Sequence, residues 1–545
     1  MKIALAQINT TVGDVEGNVR KAVAAIHEAA ARGAQMVVLP ELTLSGYPPQ
    51  DLVERPAFVE ANRRGVQRVA AAAHSICAVV GHVGRAPAPT GKLAANCASI
   101  VRDGRILCRR DKTLLPTYDV FDESRVFQPA ADNQPVELDG LRVGVTICED
   151  TWNDRYFWER RLYETDPIEK LAAAGMDLLL NISASPFSAG KQEFRRAMLS
   201  AAARRHGVPL AYVNLVGGND QLIFDGRSIL FDSQGRIVAE GAAFREDLLV
   251  LDTGQEGSAE PPPSLSEVDE IWQALNLGLA DYVRKCGFKK VVLGLSGGVD
   301  SAVTACIAAS ALGPENVTAL FMPTVFSSDM SHTDAQAVAR NLGIGYHVVP
   351  VEDLRLAFEQ ALEPVFRGTE RGTAEENIQA RIRGTLIMAY SNKYGHLPLA
   401  TGNKSELGAG YCTLYGDMVG GLAVIGDVPK GMIYQLANYM NRDTTLIPRT
   451  VIERPPTAEL KPNQTDQDVL PPYELLDAIL YLYIEQNKEY DEIVAAGYDP
   501  DTVRRVLLMV DRAEYKRRQA PITLRVTSKA FGPGRRLPVA QNWAR

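Results

Sequence analysis

The chain has 545 residues, more than one hydrophobic core supports, so its length predicts two to four domains. Hydrophobic residues make up 46% and charged residues 23%, as in globular proteins, and a formal net charge of −8 argues against a general nucleic-acid-binding protein. Seven scattered cysteines fit a reducing, cytoplasmic compartment, the polar start is unlike a signal peptide, and no run of about 18 apolar residues predicts a membrane span.

The first part of the chain alternates buried β-strands with helices, which predicts an α/β domain. Its helices carry alanines and aliphatic residues at helical spacing, as in NVRKAVAAIHEAAARG and KQEFRRAMLSAAARRHG. The predicted strands are KIALAQI, AQMVVLPE, ICAVVGHVG, LRVGVTICED, MDLLLNISAS and PLAYVNLVGG.

A polar stretch rich in Gly, Ser and Pro, TGQEGSAEPPPSLSE, interrupts the chain at residues 253–267. Its three consecutive prolines favour an extended spacer over a packed element. We therefore predict a first domain at residues 1–253, a linker at 254–264 and a second domain at 265–545.

The second part again alternates strands and helices, which predicts a doubly wound parallel sheet. Its strands are KVVLGLS, NVTALFMP, GYHVVPV and HLPLATG. Ligands of such sheets bind beyond the carboxyl ends of the strands. Two polar stretches lie at such ends, GLSGGVDSA at residues 294–302 and ATGNKSE at residues 400–406, so we expect both to contact the ligand.

The glycine-rich stretch at 294–302 joins a strand to a buried helix, an arrangement whose backbone N–H groups bind phosphate. It also contains Asp300, which would repel a polyphosphate unless a cation lay between them. Mg²⁺ prefers one or two carboxylates together with phosphate oxygens, so we expect Asp300 and Glu406 to bind Mg²⁺. The alternative is an ordinary helix-capping turn.

Three polar residues of the first domain fall at predicted strand ends or in the loops that follow them: Glu41, Lys112 and Cys148. A cysteine that attacks an amide carbonyl must lose its proton, and a carboxylate can accept it. A nearby lysine would lower the thiol pKa and stabilise the oxyanion. Taken singly, the cysteine could be a small buried hydrophobe and the glutamate a solvated cap, so spacing alone leaves this site open.

The motifs around these three residues are PELTLSGYPP, KTLLPTYDVFDESR and ICEDTW. They resemble the carbon–nitrogen hydrolase (nitrilase) superfamily, and in particular the glutaminase domain of glutamine-dependent NAD⁺ synthetases. The resemblance implies a nitrilase-like α-β-β-α sandwich in which Glu41 is the general base, Cys148 the nucleophile and Lys112 the oxyanion stabiliser.

The same resemblance implies a glutamine site lined by Tyr118, by Ser185 in NISASPF and by Lys191 in SAGKQ. A packed aromatic is the alternative for Tyr118, and a solvated helix start is the alternative for Lys191.

SGGVDS resembles the pyrophosphate-binding loop of ATP-pyrophosphatases, which also occurs in GMP, asparagine and argininosuccinate synthetases and in tRNA-modifying enzymes. The resemblance implies a Rossmann-like fold of the adenine-nucleotide α-hydrolase type, which cleaves ATP between its α- and β-phosphates. The implied ATP-binding residues are Gly294, Leu295, Ser296, Gly297, Gly298, Val299, Asp300, Ser301 and Thr401.

Three later motifs, EENIQARIRGTLIMAYSN, LATGNKSELGAGYCTLYGDMVGGLAVIGDVPK and DRAEYKRRQAP, resemble NAD⁺ synthetases. The implied contacts with deamido-NAD⁺ are Asn377, Glu406 and Lys516. Glu406 is therefore a candidate both for the metal and for the dinucleotide, and the sequence leaves both open.

Two arginines of the first of these motifs have alternative interpretations. Arg381 and Arg383 could bind substrate phosphates or a carboxylate. On a helix they could equally pair with Glu375 or Glu376 at the surface, and we expect the surface position for Arg383.

Together the resemblances imply a glutamine-hydrolysing NAD⁺ synthetase that is a homo-oligomer, acts on small molecules, and binds neither nucleic acid nor membranes. ATP and Mg²⁺ would activate deamido-NAD⁺ as an acyl-adenylate, and ammonia would pass between the domains in an enclosed tunnel. Two alternatives stay open. One is another glutamine-dependent amidotransferase of the ATP-pyrophosphatase type with a different acceptor. The other is a ligase that uses free ammonia, with a degenerate nitrilase scaffold that binds partners.

Overall fold

The computed structural model describes residues 1–87, 90–258, 260 and 262–543. Residues 259 and 261 of the predicted linker, and the last two residues of the predicted second domain, therefore lie outside the described residues. The chain divides into unit 1, Met1–Leu265, and unit 2, Ser266–Arg545. None of the described helices combines the length and the apolar composition needed to cross a bilayer.

Unit 1 contains two six-stranded sheets and a two-stranded hairpin. Its strands are β1 (Lys2–Gln7), β2 (Met36–Val38), β3 (Cys77–Arg85), β4 (Ala94–Arg102), β5 (Arg105–Asp111), β6 (Val136–Leu138), β7 (Leu141–Ile147), β8 (Leu178–Ser183), β9 (Leu210–Asn214), β10 (Val216–Asn219), β11 (Leu222–Asp225), β12 (Ile229–Phe231), β13 (Ile237–Glu240) and β14 (Asp247–Asp252). The sheet orders are β14-β1-β2-β3-β4-β5 and β13-β12-β9-β8-β7-β6, and β10 pairs with β11.

The longer helices of unit 1 pack against the outer faces of these sheets. The helices of this unit are α1 (Val15–Ala31), α2 (Pro56–Ala72), α3 (Glu123–Val126), α4 (Pro167–Ala173) and α5 (Lys191–His206), with 3₁₀ turns at Gln50–Glu54 and Cys148–Thr151.

Side-chain alternation along the strands explains the layers, because successive residues of a strand face opposite sides. Ile3 and Leu5 of β1 pack between the two sheets against residues of β7, β8 and β9. Ala4 and Ala6 face outward and pack under α1 and α2. A further cluster joins α4 and α5 to the other sheet. The result is the predicted α-β-β-α sandwich.

Two local features of unit 1 differ from the sequence prediction. PLAYVNLVGG holds two strands, because β9 continues the sheet while β10 turns away into the hairpin with β11. The start of the predicted linker lies against unit 1: the N–H of Gly257 donates to Asp232 at 2.9 Å, and the N–H of Ser258 donates to the carbonyl of Ile237 at 2.9 Å.

Unit 2 contains a five-stranded sheet in which every pairing is parallel. Its strands are β15 (Val291–Gly294), β16 (Val317–Phe321), β17 (Gly345–Val348), β18 (Leu397–Ala400) and β19 (Leu422–Ala423), in the order β17-β16-β15-β18-β19. The chain moves outward from β15 to β17 and then crosses to the other side of β15. This reversal is the predicted doubly wound arrangement, and it opens a crevice between the carboxyl ends of β15 and β18.

The helices of unit 2 cover both faces of this sheet and form a second apolar cluster at its side. They are α6 (Glu267–Lys285), α7 (Val299–Leu312), α8 (Asp329–Leu342), α9 (Glu352–Phe366), α10 (Thr373–Tyr394), α11 (Lys404–Ala409), α12 (Lys430–Met440), α13 (Arg449–Glu453), α14 (Tyr473–Leu480), α15 (Tyr490–Ala495), α16 (Pro500–Arg512) and α17 (Glu514–Arg517). Here α7 contacts β15 and β16 and packs with α6 and α12, while α10 covers the opposite face. The side cluster joins α11, α14, α15 and α16.

Candidate active sites

A buried cluster of one lysine and two glutamates forms the centre of the site in unit 1. Lys112 directly follows β5, Glu41 lies in the loop after β2, and Glu123 begins α3. Nζ of Lys112 is 2.8 Å from Oε1 of Glu41 and 2.8 Å from Oε1 of Glu123. Burial lowers the pKa of Lys112, but the two carboxylates outweigh it and raise that pKa well above its usual range. The lysine is therefore a fixed cation between two acids.

Glu41 is held in one orientation by donors to both of its oxygens. Nδ2 of Asn96, on β4, donates to Oε1 at 2.7 Å, and the backbone N–H of Ala184, just after β8, donates to Oε2 at 2.8 Å. The loop that carries Glu41 lies directly against Gly81 of β3, where a Cβ atom would be 2.3 Å from the carbonyl oxygen of Pro40. Only glycine fits at this approach.

Cys148 is the first residue after β7, with a strained backbone φ of +42° and an exposed fraction of 6%. Burial is the main cause that raises the pKa of its thiol, Glu41 raises it further, and Lys112 lowers it. The net rise keeps the thiol protonated, so a reaction at this sulfur needs a base. The structure thus brings Glu41, Lys112 and Cys148 together, and the roles that the resemblance implies for them stay predictions.

The three residues predicted to bind glutamine lie near this site, Tyr118 and Lys191 beside Glu149 and Ser185 beside the contact of Ala184 with Glu41. The hydroxyl of Tyr118 donates to Glu149 at 3.0 Å, and the ring also contacts Phe121, so its packing and its polar role coexist. Ser185 is buried directly after Ala184. Lys191 folds back, with Nζ donating to the carbonyl of Pro186 at 2.8 Å and lying 5.2 Å from the ring centroid of Trp152, so it is not a solvated helix start.

Sequence reasoning missed two acidic residues of this site. Glu123 contacts Lys112 as closely as Glu41 does, and it also accepts a hydrogen bond from the hydroxyl of Tyr47 at 2.8 Å. Glu149 accepts hydrogen bonds from Tyr118 and Tyr163. Both stand inside the motifs VFDESR and ICEDTW, but acidic residues at a loop or helix start are usually solvated, so their type alone gave no signal.

The site in unit 2 is a cavity of about 270 Å³ at the carboxyl ends of β15 and β18. The sequence-predicted residues that line it are Gly294, Leu295, Ser296, Gly298, Val299, Asp300, Ser301, Thr401 and Glu406. Three other predicted residues that the structure describes, Gly297, Asn377 and Lys516, do not line this cavity.

The glycine-rich loop is fixed by contacts of its own and by one arginine. The hydroxyl of Ser301 donates to the carbonyl of Gly298 at 3.0 Å and accepts from the N–H of Ser296 at 3.2 Å. Gly297 has a φ of +85°, and its carbonyl accepts a hydrogen bond from Nη2 of Arg454 at 2.8 Å. These contacts hold the loop in one conformation at the start of α7, and its predicted binding of phosphate stays a prediction.

Two carboxylates and one lysine face the cavity beside this loop. Nζ of Lys430 is 2.5 Å from Oδ2 of Asp300 and 3.7 Å from Oε1 of Glu406. Burial and the Asp300 carboxylate raise the pKa of Glu406 to about 8. Two carboxylates this close together, Asp300 and Glu406, are stabilised by a nearby positive charge, and the ammonium of Lys430 supplies part of it. Sequence reasoning missed Lys430, which stands at the end of the motif GDVPK.

The donor set of Asp300 and Glu406 fits Mg²⁺ in the presence of a nucleotide. Among the described residues, no group of three or more His, Cys, Asp or Glu side chains could hold a metal. Mg²⁺ does not require such a cage, because it binds one or two carboxylates and completes its shell with phosphate oxygens and water.

Two of the residues predicted to contact deamido-NAD⁺, Asn377 and Lys516, form hydrogen bonds with the loop after α11. Oδ1 of Asn377 accepts from the hydroxyl of Thr413 at 2.7 Å, and Nζ of Lys516 donates to the carbonyls of Gly410 and Cys412 at 2.8 Å each. Their predicted contact with the dinucleotide stays a prediction.

The two arginines of α10 occupy different environments. Arg381 is exposed and donates to the carbonyl of Leu414 at 3.2 Å. Arg383 was expected at the surface, but it lines the cavity and donates from Nε to the carbonyl of Met322 at 3.0 Å. The helix turns this position toward the sheet, which the short sequence EENIQARIR did not indicate.

Comparisons with known proteins cover the whole chain. The carbon–nitrogen hydrolase family matches residues 2–257, and the NAD synthase family matches residues 271–520. The glutamine-dependent NAD⁺ synthetase of Synechocystis sp. is 47% identical over 99% of this chain and 98% of its own length. That of Thermotoga maritima is 41% identical over 100% and 99%. The solved structure of the glutamine-dependent NAD⁺ synthetase of Acinetobacter baumannii in complex with ADP is 39% identical, covers 100% of this chain and 99% of its own, and superposes with a TM-score of 0.78.

Proposed function

The chain belongs to the glutamine-dependent NAD⁺ synthetases, and we propose that unit 1 releases ammonia from glutamine while unit 2 uses it to amidate deamido-NAD⁺. The enzyme is a carbon–nitrogen ligase with glutamine as nitrogen donor and ATP as co-substrate. The observation that carries the division of roles is the buried contact of Lys112 with Glu41 beside Cys148, because it places an acid, a cation and a thiol at one point.

Glutamine hydrolysis follows from the chemistry of these three groups. The protonated thiol of Cys148 gives its proton to Glu41 as the sulfur attacks the side-chain amide. The fixed ammonium of Lys112 stabilises the oxyanion of the tetrahedral intermediate. Glu41 then gives the proton to the departing ammonia, and water hydrolyses the thioester to glutamate and restores the thiol.

The synthetase reaction needs ATP because a carboxylate does not react with ammonia until one of its oxygens becomes a good leaving group. The nicotinate carboxylate of deamido-NAD⁺ attacks the α-phosphorus of ATP and releases pyrophosphate. Ammonia then displaces AMP from the acyl-adenylate and forms NAD⁺. The loop Gly294–Ser301 and Thr401 would bind ATP, and Asn377, Glu406 and Lys516 would contact deamido-NAD⁺.

Asp300 and Glu406 would hold Mg²⁺ beside the phosphates. The bound cation would neutralise phosphate charge that otherwise opposes these carboxylates. The ammonium of Lys430 would contribute a second positive charge at the same place, and the backbone N–H groups of the glycine-rich loop would bind the pyrophosphate.

Three further properties belong to this proposal. Ammonia becomes ammonium in neutral water and then no longer attacks the adenylate, so we propose an enclosed transfer between the two reactions. We also propose a homo-oligomer, in line with the family, and a cytoplasmic location, supported by the seven free cysteines.

The test is NAD⁺ formation from deamido-NAD⁺, ATP and Mg²⁺, with glutamine or with ammonium, while AMP and pyrophosphate are followed. Cys148→Ala should lose glutamine-driven synthesis and keep ammonium-driven synthesis. Cys77→Ala is the matched control, because Cys77 is a buried cysteine of the same apolar cluster, and the charged groups that act on its thiol are Arg102 and Asp139 rather than Glu41 or Lys112. If Cys148→Ala keeps both activities, the triad assignment is wrong. If wild type makes no NAD⁺ with either source, the acceptor is wrong, and xanthosine monophosphate and aspartate are tested next.

A further inference from the structure

The backbone of Ser185 is paired with the side chain of Asn214, at the end of β9. Oδ1 of Asn214 accepts from the N–H of Ser185 at 2.9 Å, and Nδ2 lies 3.3 Å from the carbonyl oxygen of Ser185. Both residues are buried. Ser185 lies just beyond the end of β8, and the side-chain amide of Asn214 pairs with its backbone N–H and carbonyl in the way that a neighbouring strand would.

The same amide is held by a buried ion pair. Nδ2 of Asn214 is also 3.3 Å from Oδ1 of Asp225, and both terminal nitrogens of Arg195 donate to the Asp225 carboxylate at 3.1 Å. Arg195 and Asp225 are buried, and Nη1 of Arg195 also donates to Gln192 at 2.7 Å. Because a carboxylate only accepts, Asp225 requires Nδ2 as the donor and so fixes which way the amide of Asn214 points.

This arrangement acts on the active site through two consecutive residues. The N–H of Ala184 donates to Oε2 of Glu41 at 2.8 Å, and Ser185 follows it. The buried hydroxyl of Ser185 is the group that would donate to glutamine in the proposed function. The backbone clamp therefore sets where this hydroxyl stands relative to Glu41.

We propose that Asn214, fixed by the Asp225–Arg195 ion pair, is a positioning residue that sets the contact of Ser185 with glutamine. The inference rests on the proposed function, in which Ser185 lines the glutamine site. It adds Asn214, Asp225 and Arg195, which no motif indicated and which would act on the substrate through Ser185.

The experiment is steady-state glutamine hydrolysis by the full chain, measured for Asn214→Ala, Ser185→Ala and the double variant. We expect Asn214→Ala to raise the KM for glutamine about tenfold with a smaller change in kcat, as the loss of one substrate hydrogen bond predicts. The double variant should be no worse than Ser185→Ala alone, because the two residues act through one contact. Ammonium-driven synthesis should stay unchanged.

The matched control is Asn18→Ala. Asn18 pairs in the same way with both backbone groups of Thr11, at 2.9 and 2.8 Å, and also donates to the carbonyl of Leu44. It should lose stability without raising the KM for glutamine.

Several outcomes would overturn the proposal. One is an equal rise of KM in Asn18→Ala, and another is full additivity of the Asn214 and Ser185 effects. A third is an unchanged KM for glutamine in Asn214→Ala, or in Asn214→Asp, which keeps an acceptor for the N–H of Ser185 but loses the donor. This outcome would refute the positioning role if the variant retains the circular dichroism of wild type. By contrast, a wild-type protein that hydrolyses no glutamine would refute the proposed function itself.

Discussion

Nδ2 of Asn403 donates a hydrogen bond to Oδ1 of Asp300 at 2.8 Å. Oδ1 of the same amide accepts from the N–H of Glu406 at 2.9 Å, as the N-cap of α11. Asn403 is fully buried. One side chain therefore sets the distance between the glycine-rich loop and the helix that carries Glu406, the two parts of the proposed Mg²⁺ site.

Asn403→Ser separates the two roles of this amide. Serine caps a helix about as well as asparagine does, but it is too short to donate to Asp300. We expect the Mg²⁺ concentration for half-maximal ammonium-driven synthesis to rise several-fold, with little loss of stability and unchanged glutamine hydrolysis. Asn403→Ala also loses the cap and should cost about 1 kcal/mol more in denaturant unfolding. An unchanged Mg²⁺ requirement in Asn403→Ser would contradict this role of the amide.

The strands and helices of both units follow closely from sequence patterns. Buried runs such as KIALAQI and MDLLLNISAS form strands where they were predicted, because short apolar runs of this kind are typical of the inner strands of a covered sheet. The reversal of strand order in unit 2 then places GLSGGVDSA and ATGNKSE at one crevice, as expected from alternation alone.

The partners of the predicted site residues did not follow from the sequence. Glu123, Lys430 and Asn403 become recognisable only when segments far apart in the chain meet, and single polar residues in loops are common. The position of Arg383 was also not predictable, because a helix with charged residues on several faces does not indicate which of them faces the cavity. Motifs indicated the reacting groups, whereas tertiary packing decided which groups support them.

Gly81→Ala should abolish glutamine hydrolysis without touching any catalytic side chain. The added Cβ would lie 2.3 Å from the carbonyl of Pro40 and 2.4 Å from the N of Leu42, so the loop that carries Glu41 must move. We expect glutamine-driven synthesis to fall at least about 100-fold, since a displacement of about 1 Å has that effect on a positioned catalytic group, while ammonium-driven synthesis persists. Gly254→Ala is the control, because its Cβ meets only a side-chain oxygen at 3.5 Å. Equal activity of the two variants would show that this loop adapts.

Two adjacent glycines of the phosphate loop should respond differently to alanine. At Gly297 the φ is +85° and a Cβ would lie 2.5 Å from the carbonyl of Ser331, whereas at Gly298 the nearest atom is the Ser296 hydroxyl at 3.4 Å. Gly297→Ala should therefore lose about 1–2 kcal/mol of stability from backbone strain alone, and lose synthesis with both nitrogen sources. Gly298→Ala should keep its fold. NAD⁺ synthesis with glutamine and with ammonium, together with chemical unfolding of both variants, checks the prediction, and equal unfolding midpoints would contradict it.

His82, buried on β3, should make unit 1 sensitive to acid. One ring nitrogen lies 3.0 Å from the carbonyl of Val83 and the other 2.8 Å from the hydroxyl of Ser99, which suits the neutral ring. Burial is the main cause that lowers the pKa of His82 to about 4, from 6.5 for an unperturbed histidine. As the pH falls below 6.5, His82 becomes protonated in the unfolded chain, whereas in the folded protein it stays neutral until the pH approaches 4. The stability that the neutral His82 contributes is therefore fully present above pH 6.5. The free energy of unfolding falls by about 3 kcal/mol as the pH is lowered from 6.5 to 4.

His82→Gln removes this titration and should lessen the loss of stability in that pH range. The measurement is hydrogen exchange of the amides of β3 and β4 in the full chain at pH 7 and pH 5, corrected for intrinsic exchange rates. His74→Gln is the matched control, because His74 is exposed in the same unit and has no burial to relieve. The same fall in protection for wild type and His82→Gln would place the acid sensitivity of unit 1 elsewhere. A smaller fall in His82→Gln alone would assign it to the buried imidazole.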